Sequence, residues 1–363
     1  MLVAMGQSAG AVPTLHQEFA LCFRGKLAAK LEAIRIQPHF LGEIRASRPW
    51  TIWKARRQLL DLIQVLKTDW VVFHSAWTLA LLGPALHGVK LKSAIWLHDV
   101  ASGRHWVERL ARLARPDFAI CNSYYTAQSL DLLFRDLRFD VIHCPVPPPD
   151  TLPPTTRASV RTQLGSGSDT FVILIAARFE EWKGHQTLLK ALDLLRSDSR
   201  WTCWIVGGAQ RKHEQEYRFR LEITARSSGL SDRVKFLGHR DDVASLMASA
   251  DLYCQPNTSP EPFGISIVEA LYAGLPVIVS NTGGPREIMT PECGSLVEPK
   301  DSENLAHEIK KVFDSTDVRK IARTYGPARA RELCDPEQQL MRFSHVLGLV
   351  KAEELSSSSN SCS

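Results

Sequence analysis

The sequence has 363 residues, of which 44% are hydrophobic and 23% are charged, a composition typical of a globular protein with room for two domains. Its formal net charge of +5 originates in residues 1–150, which hold 18 Lys and Arg against 12 Asp and Glu. No recognisable motif accompanies this charge, so we expect no nucleic acid partner. The basic first half indicates either an ordinary solvated surface or contact with an anionic membrane or an acidic acceptor.

The eight cysteines are scattered without a Cys-x-x-Cys pair, and several lie in apolar runs. This usage predicts reduced thiols and a cytoplasmic chain. No apolar stretch approaches the ~20 residues that a membrane-spanning helix needs. The first ten residues are too short and uncharged for a signal peptide, and the final SSSSNSCS predicts a disordered tail.

Strand and helix patterns alternate through the first half of the chain. Residues 2–5 predict a short strand, whereas the pattern from there to Ile36 fits a helix or a strand equally well. Residues 48–67 predict an amphipathic helix. Further strands are predicted at residues 70–75, 93–99, 117–121 and 140–144, with helices between them. Such alternation predicts a parallel, doubly wound sheet.

A proline-rich segment then interrupts the pattern. Six of the 20 prolines fall within Pro145–Pro154, and a second strand–helix series follows from Phe171. We therefore predict an α/β protein of two Rossmann-like domains facing across a cleft, with the ligand site in that cleft. The predicted boundaries are 1–149 for the first domain, 150–335 for the second domain, and 336–363 for a terminal helix and Ser-rich tail.

The most informative stretch, NTSPEPFGISIVEALYAGLPVIVSNTGGPRE, covers residues 257–287. Glu261 is predicted on a loop and Glu269 on the first turns of the following helix. The backbone N–H groups of Phe263, Gly264 and Ile265 would form an anion site at the helix N-terminus. An anion between two acids suggests a sugar nucleotide; the alternative is an ordinary αβ unit with solvated acids.

Two cations follow the first strand of the second series. Arg178 and Lys183 lie at its carboxyl end and could clamp a diphosphate. They would then stabilise the charge of a departing nucleotide diphosphate. The alternative interpretation makes them surface cations beside Glu180 and Glu181.

Three motifs in this order and spacing carry a family resemblance: AARFEEWKGH, FLGHRDDV and EPFGISIVEALYAGLPVIVSNTGGPREI. The chain resembles the retaining glycosyltransferases of family 4, also called group 1, which have the GT-B fold. The pair of acids separated by seven residues, Glu261 and Glu269, is the most specific element. The resemblance covers residues 122–335 well and continues more loosely back to Trp50.

The resemblance implies a role for each matched position. Arg178 and Lys183 would bind the donor diphosphate, Glu261 would face the donor sugar, and Glu269 would bind the ribose. His98, at the end of a first-domain strand, would reach the sugar near its anomeric carbon. The remaining implied donor-binding residues are Phe263, Gly264, Ile265, Gly208, Gly238 and Arg240.

The resemblance also implies the reaction. A nucleotide-diphosphate sugar is the co-substrate, no cofactor or metal ion is expected, and the acceptor is a glycan or a lipid-linked glycan. The sugar would pass through an oxocarbenium-like state with retained configuration, a donor phosphate oxygen acting as base. An epimerase or phosphorylase on the same fold fits the Glu261–Glu269 spacing less well.

The start of the chain departs from the family pattern. MLVAMGQSAG is the only candidate for the family's first strand and Gly-rich loop, so the first domain is either abbreviated there or lacks that unit. This leaves open a non-catalytic protein that binds sugar nucleotides.

The helix at residues 48–67 raises a weaker hypothesis, peripheral membrane contact. Its tryptophans and cations could lie on anionic lipid, although the tryptophans could equally belong to the core. The residues concerned are Trp50, Trp53, Lys54, Arg56 and Arg57.

Overall fold

The computed structural model describes residues 1–349, so the predicted Ser-rich tail lies outside the described residues. The chain divides into two compact units. The first contains Met1–Pro147 and the described residues from Cys334 onward, and the second is Pro148–Leu333. Among the described residues, no helix combines the length and the apolar character needed to cross a bilayer.

The first unit is built on four parallel strands in the order β3-β4-β5-β6, and β1 and β2 form a separate parallel pair. Its strands are β1 (Ala20–Leu21), β2 (His39–Phe40), β3 (Trp70–Phe73), β4 (Lys92–Leu97), β5 (Phe118–Cys121) and β6 (Phe139–Val141). Its helices up to Pro147 are α1 (Leu2–Gln7), α2 (Lys26–Ala33), α3 (Pro49–Leu66), α4 (Ala76–Leu82), α5 (Trp106–Ala111) and α6 (Tyr124–Ala127).

The second unit holds a six-stranded parallel sheet in the order β12-β11-β10-β7-β8-β9. Its strands are β7 (Phe171–Ala176), β8 (Trp201–Val206), β9 (Val234–Gly238), β10 (Leu252–Gln255), β11 (Val277–Ser280) and β12 (Gly294–Val297). The helices that follow α6 are α7 (Thr156–Gln163), α8 (His185–Leu194), α9 (Lys212–Ser227), α10 (Val243–Ser249), α11 (Ile265–Tyr272), α12 (Pro285–Ile288), α13 (Ser302–Asp314), α14 (Thr316–Cys334) and α15 (Pro336–Val346).

Both faces of the first sheet are buried, because successive side chains of a strand point to opposite faces. Ile95 and Leu97 of β4 pack on one side with residues of α3 to α6. Trp96, between them, packs on the other side with Met5 of α1 and Phe343 of α15. The last described helix therefore completes the core of the first unit rather than that of the second.

Two details of the first unit differ from the sequence-based expectations. Residues 2–5 form part of helix α1 instead of a strand, since a short apolar run does not distinguish the two by periodicity. The helix at residues 48–67 is present as α3, but its buried residues are Ala55 and Leu59. Trp53, which the sequence allowed to belong to the core, is 59% exposed.

The order of strands in the second sheet reverses between β7 and β10. The connections from these two strands run to opposite sides, which opens a crevice at their carboxyl ends. All six residues of β8 are buried, as expected for a strand covered on both faces. The α/β class with parallel sheets is thus confirmed, and the second sheet offers one defined place for a ligand.

His185 is a titratable side chain in the interior near that crevice. It begins α8, is fully buried, and stacks on Phe179 with ring centroids 5.2 Å apart. Burial lowers the pKa of His185 from its ordinary value near 6.5 to about 3. The folded protein therefore keeps this histidine neutral under conditions where an unfolded chain protonates it.

This difference predicts a pH-dependent stability. Between pH 6.5 and pH 3 the unfolded chain binds a proton at His185 and the folded chain does not, so stability is lost as the pH falls. Replacing His185 with Leu should reduce the loss of unfolding free energy between pH 7 and pH 5 by about 2 kcal/mol. Urea denaturation at both pH values measures it.

His213 provides the control, because it lies exposed in the first turn of α9. A His213→Gln variant should keep the wild-type dependence on pH. If His185→Leu loses as much stability between the two pH values as the wild type, His185 does not remain neutral in the folded protein.

Candidate functional site

Glu261 lies in the loop that follows β10 and is bound from three directions. Its Oε2 accepts hydrogen bonds from Lys183 Nζ at 2.6 Å, Asn257 Nδ2 at 2.9 Å and Gln255 Nε2 at 3.1 Å. The side chains of Lys183 and Glu261 are only 12% and 13% exposed. The structure therefore brings one predicted cation and one predicted acid together as a largely buried ion pair at the carboxyl ends of β7 and β10.

Gln255, which sequence analysis missed, orients this pair. Its Oε1 accepts hydrogen bonds from the Tyr253 hydroxyl at 2.6 Å and the Ser266 hydroxyl at 2.9 Å, which directs its amide nitrogen to Glu261. Burial raises the pKa of Tyr253, and the nearby negative charges of Glu269 and Glu261 raise it further. The only sequence signal for Gln255 is a polar residue at the end of an otherwise apolar strand.

The second predicted cation has a different environment. Arg178 is 58% exposed and forms an ion pair with Glu180 at 2.8 Å. Glu180 also accepts a hydrogen bond from the indole nitrogen of Trp182 at 3.0 Å, and Lys183 lies 3.9 Å from the centre of the Trp182 ring. Arg178 and Lys183 thus border the same network, but only Arg178 presents its charge largely to solvent.

Glycines allow the loops of this site to approach each other through their backbones. Gly184 has a φ of +78°, and a Cβ there would lie 1.8 Å from the carbonyl oxygen of Pro256. Gly283 has a φ of +74°, and a Cβ there would lie 2.3 Å from the carbonyl oxygen of Glu261. The N–H of Gly284 donates to that same Glu261 carbonyl at 2.8 Å. These contacts hold the loop of Glu261 at the sheet edge.

Helix α11 begins beside Glu261. Gly264 precedes its first residue, Ile265, with a φ of +113°, and Phe263 is buried. The N-terminal end of a helix carries a partial positive charge, which favours an anion there. Glu269 is the fifth residue of α11 and is exposed. The helix thus carries both the predicted anion-binding end and the second acid.

A separate open pocket of about 370 Å³ lies at the carboxyl ends of β8 and β9. Gly208, predicted to line the nucleotide site, is one of its lining residues, and Gly238 ends β9 with a φ of +69°. Arg240 binds Asp242 through two hydrogen bonds of 2.7 and 2.6 Å, which raise its pKa and occupy its guanidinium. His239, within the predicted run from Gly238 to Arg240, also lines the pocket, whereas sequence analysis missed four other lining residues: Gln215, Arg218, Phe219 and Glu222.

Exposed Phe219 is the signal that could have indicated this pocket. It lies between Arg218 and Arg220 in the strongly charged helix α9, and it is 63% exposed. Asp242 occupies the N-cap position of α10, but its carboxylate binds Arg240 rather than the helix backbone.

In the first unit, His98 follows β4 and pairs with a second histidine. Its Nε2 lies 3.1 Å from Nδ1 of His74, which follows the neighbouring strand β3, and the two rings are parallel within 2°. Burial lowers the pKa of His74 to about 3 and that of His98 to about 4, so both rings are neutral at pH 7. Sequence analysis missed His74, although it has the same position after an apolar strand as His98.

The second unit therefore gathers anion-binding elements and paired charges, which suits a phosphorylated, hydroxyl-rich ligand. Among residues 1–349, no group of three or more His, Cys, Asp or Glu side chains is placed to bind a metal ion. The seven described cysteines are buried, and none of them forms a disulfide within residues 1–349.

Comparison with known proteins identifies the second unit. The family model described as glycosyl transferases group 1 matches residues 156–329. We call residues 156–329 the group 1 domain, because they match this family model.

Curated relatives of the group 1 domain agree with this assignment. One is the lipopolysaccharide core biosynthesis glycosyltransferase LpsE of Rhizobium meliloti (strain 1021), 31% identical over 160 residues, or 44% of each chain. Another is the phosphatidyl-myo-inositol mannosyltransferase of Mycobacterium leprae (strain TN), 41% identical over 91 residues, or 24% of each chain. The match to LpsE thus covers less than half of that relative's length.

Solved structures extend the similarity of fold over nearly the whole chain. The glycosyltransferase from Rickettsia africae ESF-5 is 21% identical with a TM-score of 0.82, covering 96% of this chain and 94% of that one. Anabaena Alr3699/HepE in complex with UDP-glucose is 24% identical with a TM-score of 0.81, covering 96% and 95%. At this identity the likeness establishes the fold, which is that of these glycosyltransferases.

The close backbone contact at Gly283 leads to a test of the group 1 domain. A Gly283→Ala variant suffers both the strain of a left-handed alanine and a clash with the Glu261 carbonyl. Gly229→Ala is a matched control, because Gly229 has a φ of +68° and no atom within 4 Å of an added Cβ. The shared strain costs about 1–2 kcal/mol.

We expect Gly283→Ala to lose about 1–3 kcal/mol of unfolding free energy beyond the loss of Gly229→Ala, because its neighbours must move. Denaturant unfolding of both variants beside the wild type measures the difference. Equal losses would mean that the loop of Glu261 accommodates a side chain at residue 283.

Proposed function

We propose that this protein transfers a hexose from a nucleotide-diphosphate sugar to a glycan or glycolipid acceptor with retention of the anomeric configuration. The observation that carries the proposal is the Lys183–Glu261 ion pair at the strand-order reversal of a group 1 glycosyltransferase domain. It combines a cation for a diphosphate with an acid for sugar hydroxyls at the edge where such sheets bind ligands.

In the proposed reaction, the bond between the anomeric carbon and the diphosphate oxygen breaks, and the acceptor oxygen bonds to that carbon from the same face. The bonding electron pair leaves with the nucleotide diphosphate, and the acceptor's hydroxyl proton passes to a donor phosphate oxygen. Arg178 and Lys183 would stabilise the charge that develops on the diphosphate. His98 and Glu261 would orient the sugar, and neither needs to form a covalent intermediate.

The other donor contacts are assigned by position. Glu269 would bind the ribose, and the backbone of Phe263, Gly264 and Ile265 would bind the sugar and phosphates at the start of α11. The backbone at Gly208 and Gly238 would contact the nucleotide. Arg240 would contribute through its main chain, because its guanidinium already binds Asp242.

Relatives support the donor and acceptor classes without identifying either compound. One solved neighbour binds UDP-glucose. Another relative is described as a GDP-mannose-dependent mannosyltransferase that acts on a phosphatidylinositol monomannoside, and LpsE is described as acting in lipopolysaccharide core biosynthesis. A nucleotide-diphosphate hexose and a lipid-linked glycan are therefore the first compounds to test.

A panel of UDP- and GDP-hexoses, read by nucleotide release in the presence of glycolipid acceptors, tests the proposal. Glu261→Gln keeps the shape of the side chain but removes its charge, so turnover should fall about 100-fold. Arg178→Ala should weaken diphosphate stabilisation and lower turnover as well. The exposed Glu303→Gln in α13 is the control and should leave turnover unchanged.

Retention is checked by determining the anomeric configuration of the product by NMR. Turnover that survives in both Glu261→Gln and Arg178→Ala would overturn the assignment of this site.

His74 offers a second test, directed at the first unit. Its ring nitrogen lies 3.1 Å from His98 and so orients the ring that is proposed to reach the sugar. His74→Leu should lower kcat roughly 10- to 100-fold through misplacement of His98, with little change in KM for the donor. His74→Asn keeps a hydrogen-bonding group and should restore part of the loss. Equal kcat in wild type and His74→Leu would exclude this positioning role.

A non-catalytic protein that binds sugar nucleotides is the second candidate. It is favoured by the first residues, where Leu2–Gln7 is a helix although the resemblance implies a strand followed by a Gly-rich loop. Calorimetric binding of a sugar nucleotide without turnover over the acceptor panel would support it. Turnover with any acceptor would exclude it.

A further inference from the structure

The outer surface of α5 carries an exposed apolar stripe. Trp106, Leu110 and Leu113 are 51%, 39% and 67% exposed, and their spacing places them along one side of the helix and the turn that extends it. Val107 and Ala111 lie on the opposite side and are buried in the core of the first unit. The side of α5 that faces solvent is therefore unusually apolar for a short surface helix.

Arginines border this stripe, and a single acid lies among them. Arg104, Arg109, Arg112 and Arg115 are all exposed. Among the described residues neither Arg104 nor Arg109 forms an ion pair. The acid is Glu108, whose carboxylate accepts hydrogen bonds from the backbone N–H and hydroxyl of Ser102 and the N–H of His105. These hydrogen bonds hold the Glu108 carboxylate against the loop that precedes α5. The arginines therefore make the outer surface of α5 strongly positive.

We propose that this α5 surface, defined as Trp106, Leu110 and Leu113 with Arg104 and Arg109, binds the surface of an anionic lipid bilayer. Trp and Leu side chains enter the boundary between head groups and acyl chains, while arginines at their edge meet anionic head groups. A protein partner would place charges of both signs around an apolar centre, whereas charge of one sign beside the stripe complements a uniformly negative sheet.

The position of α5 in the fold relates bilayer binding to the sheet edge that holds His98. A helix that follows a strand of a parallel sheet begins near the carboxyl end of that strand. Trp106 therefore lies toward the sheet edge where His98 follows β4. A bilayer bound by α5 would present a lipid-linked acceptor to that edge. This use rests on the proposed function, but lipid binding itself does not depend on it.

The α5 surface differs from the basic helix α3 that the sequence indicated. In α3, Arg56 donates from Nε to the carbonyl of Leu81 at 2.6 Å, and Arg57 lies 4.5 Å above the ring of Trp53. These two cations are thus partly engaged within the unit. Trp50 of α3 is 64% exposed, which makes it a matched comparison for Trp106.

Flotation of the full chain with vesicles tests the proposal. One set contains phosphatidylcholine alone and the other contains phosphatidylcholine with about one third phosphatidylglycerol. We expect about tenfold stronger binding to the anionic set, weakened by added salt. The double variant Trp106→Ser with Leu113→Ser should lose this binding, and Arg104→Gln with Arg109→Gln should weaken it about tenfold. Trp50→Ser should bind as the wild type does.

Unchanged thermal melting of each variant confirms that it is folded. If the double variant Trp106→Ser with Leu113→Ser does not fold, the double arginine variant still tests the proposal. Absence of vesicle binding, equal binding to both vesicle sets, or loss of binding in Trp50→Ser but not in the α5 variants would overturn the proposal. Donor-dependent nucleotide release is measured separately, so a protein that binds vesicles without turnover contradicts the proposed function and leaves the α5 surface supported.

Discussion

The parallel pairing of β7 with β10 is the constraint on which the candidate site depends. Strands added on either side of this pair are connected in opposite directions, so a crevice opens where both strands end. Residues that follow the two strands, Lys183 and Glu261, can therefore meet although 78 residues separate them. The same pairing brings the backbones of Gly184 and Pro256 into contact. Packing thus places charged groups at the edge where these two strands end.

The charges at that edge are stabilised before a ligand is present. A largely buried ion pair is costly unless further hydrogen bonds satisfy it, and Gln255 and Asn257 supply them at Glu261. Exposed Arg178 needs less support and forms an ion pair with Glu180. A diphosphate could therefore reach Arg178 directly at the surface, whereas Lys183 would have to release Glu261 before it binds phosphate. That exchange would connect donor binding to the orientation of the acid.

The first unit differs from the second in the polar groups at its sheet edge. Both faces of its four-stranded sheet are buried, and α15, from the end of the described chain, covers one face. The polar groups at its sheet edge are the neutral pair His74 and His98, held in register by adjacent strands. Its distinctive charge lies instead on the outer surface of α5. The neutral histidine pair and the charged α5 surface are thus distinct features of the first unit.

Strand–helix alternation and motif spacing in the sequence determined the α/β class, the second series of strands, and the set Arg178, Lys183, Glu261 and Glu269. Only the tertiary structure showed that Lys183 binds Glu261 while Arg178 binds Glu180. Periodicity reports which residues are buried along one element. It does not report which side chains meet across strands, so the contacts of Gln255 and His74 could not be predicted. Over the short apolar run at residues 2–5, periodicity also does not distinguish a strand from a helix, and the strand predicted there was wrong. Exposure of Trp53 and Trp106 likewise depends on which neighbours cover a helix, and folding alone decides that.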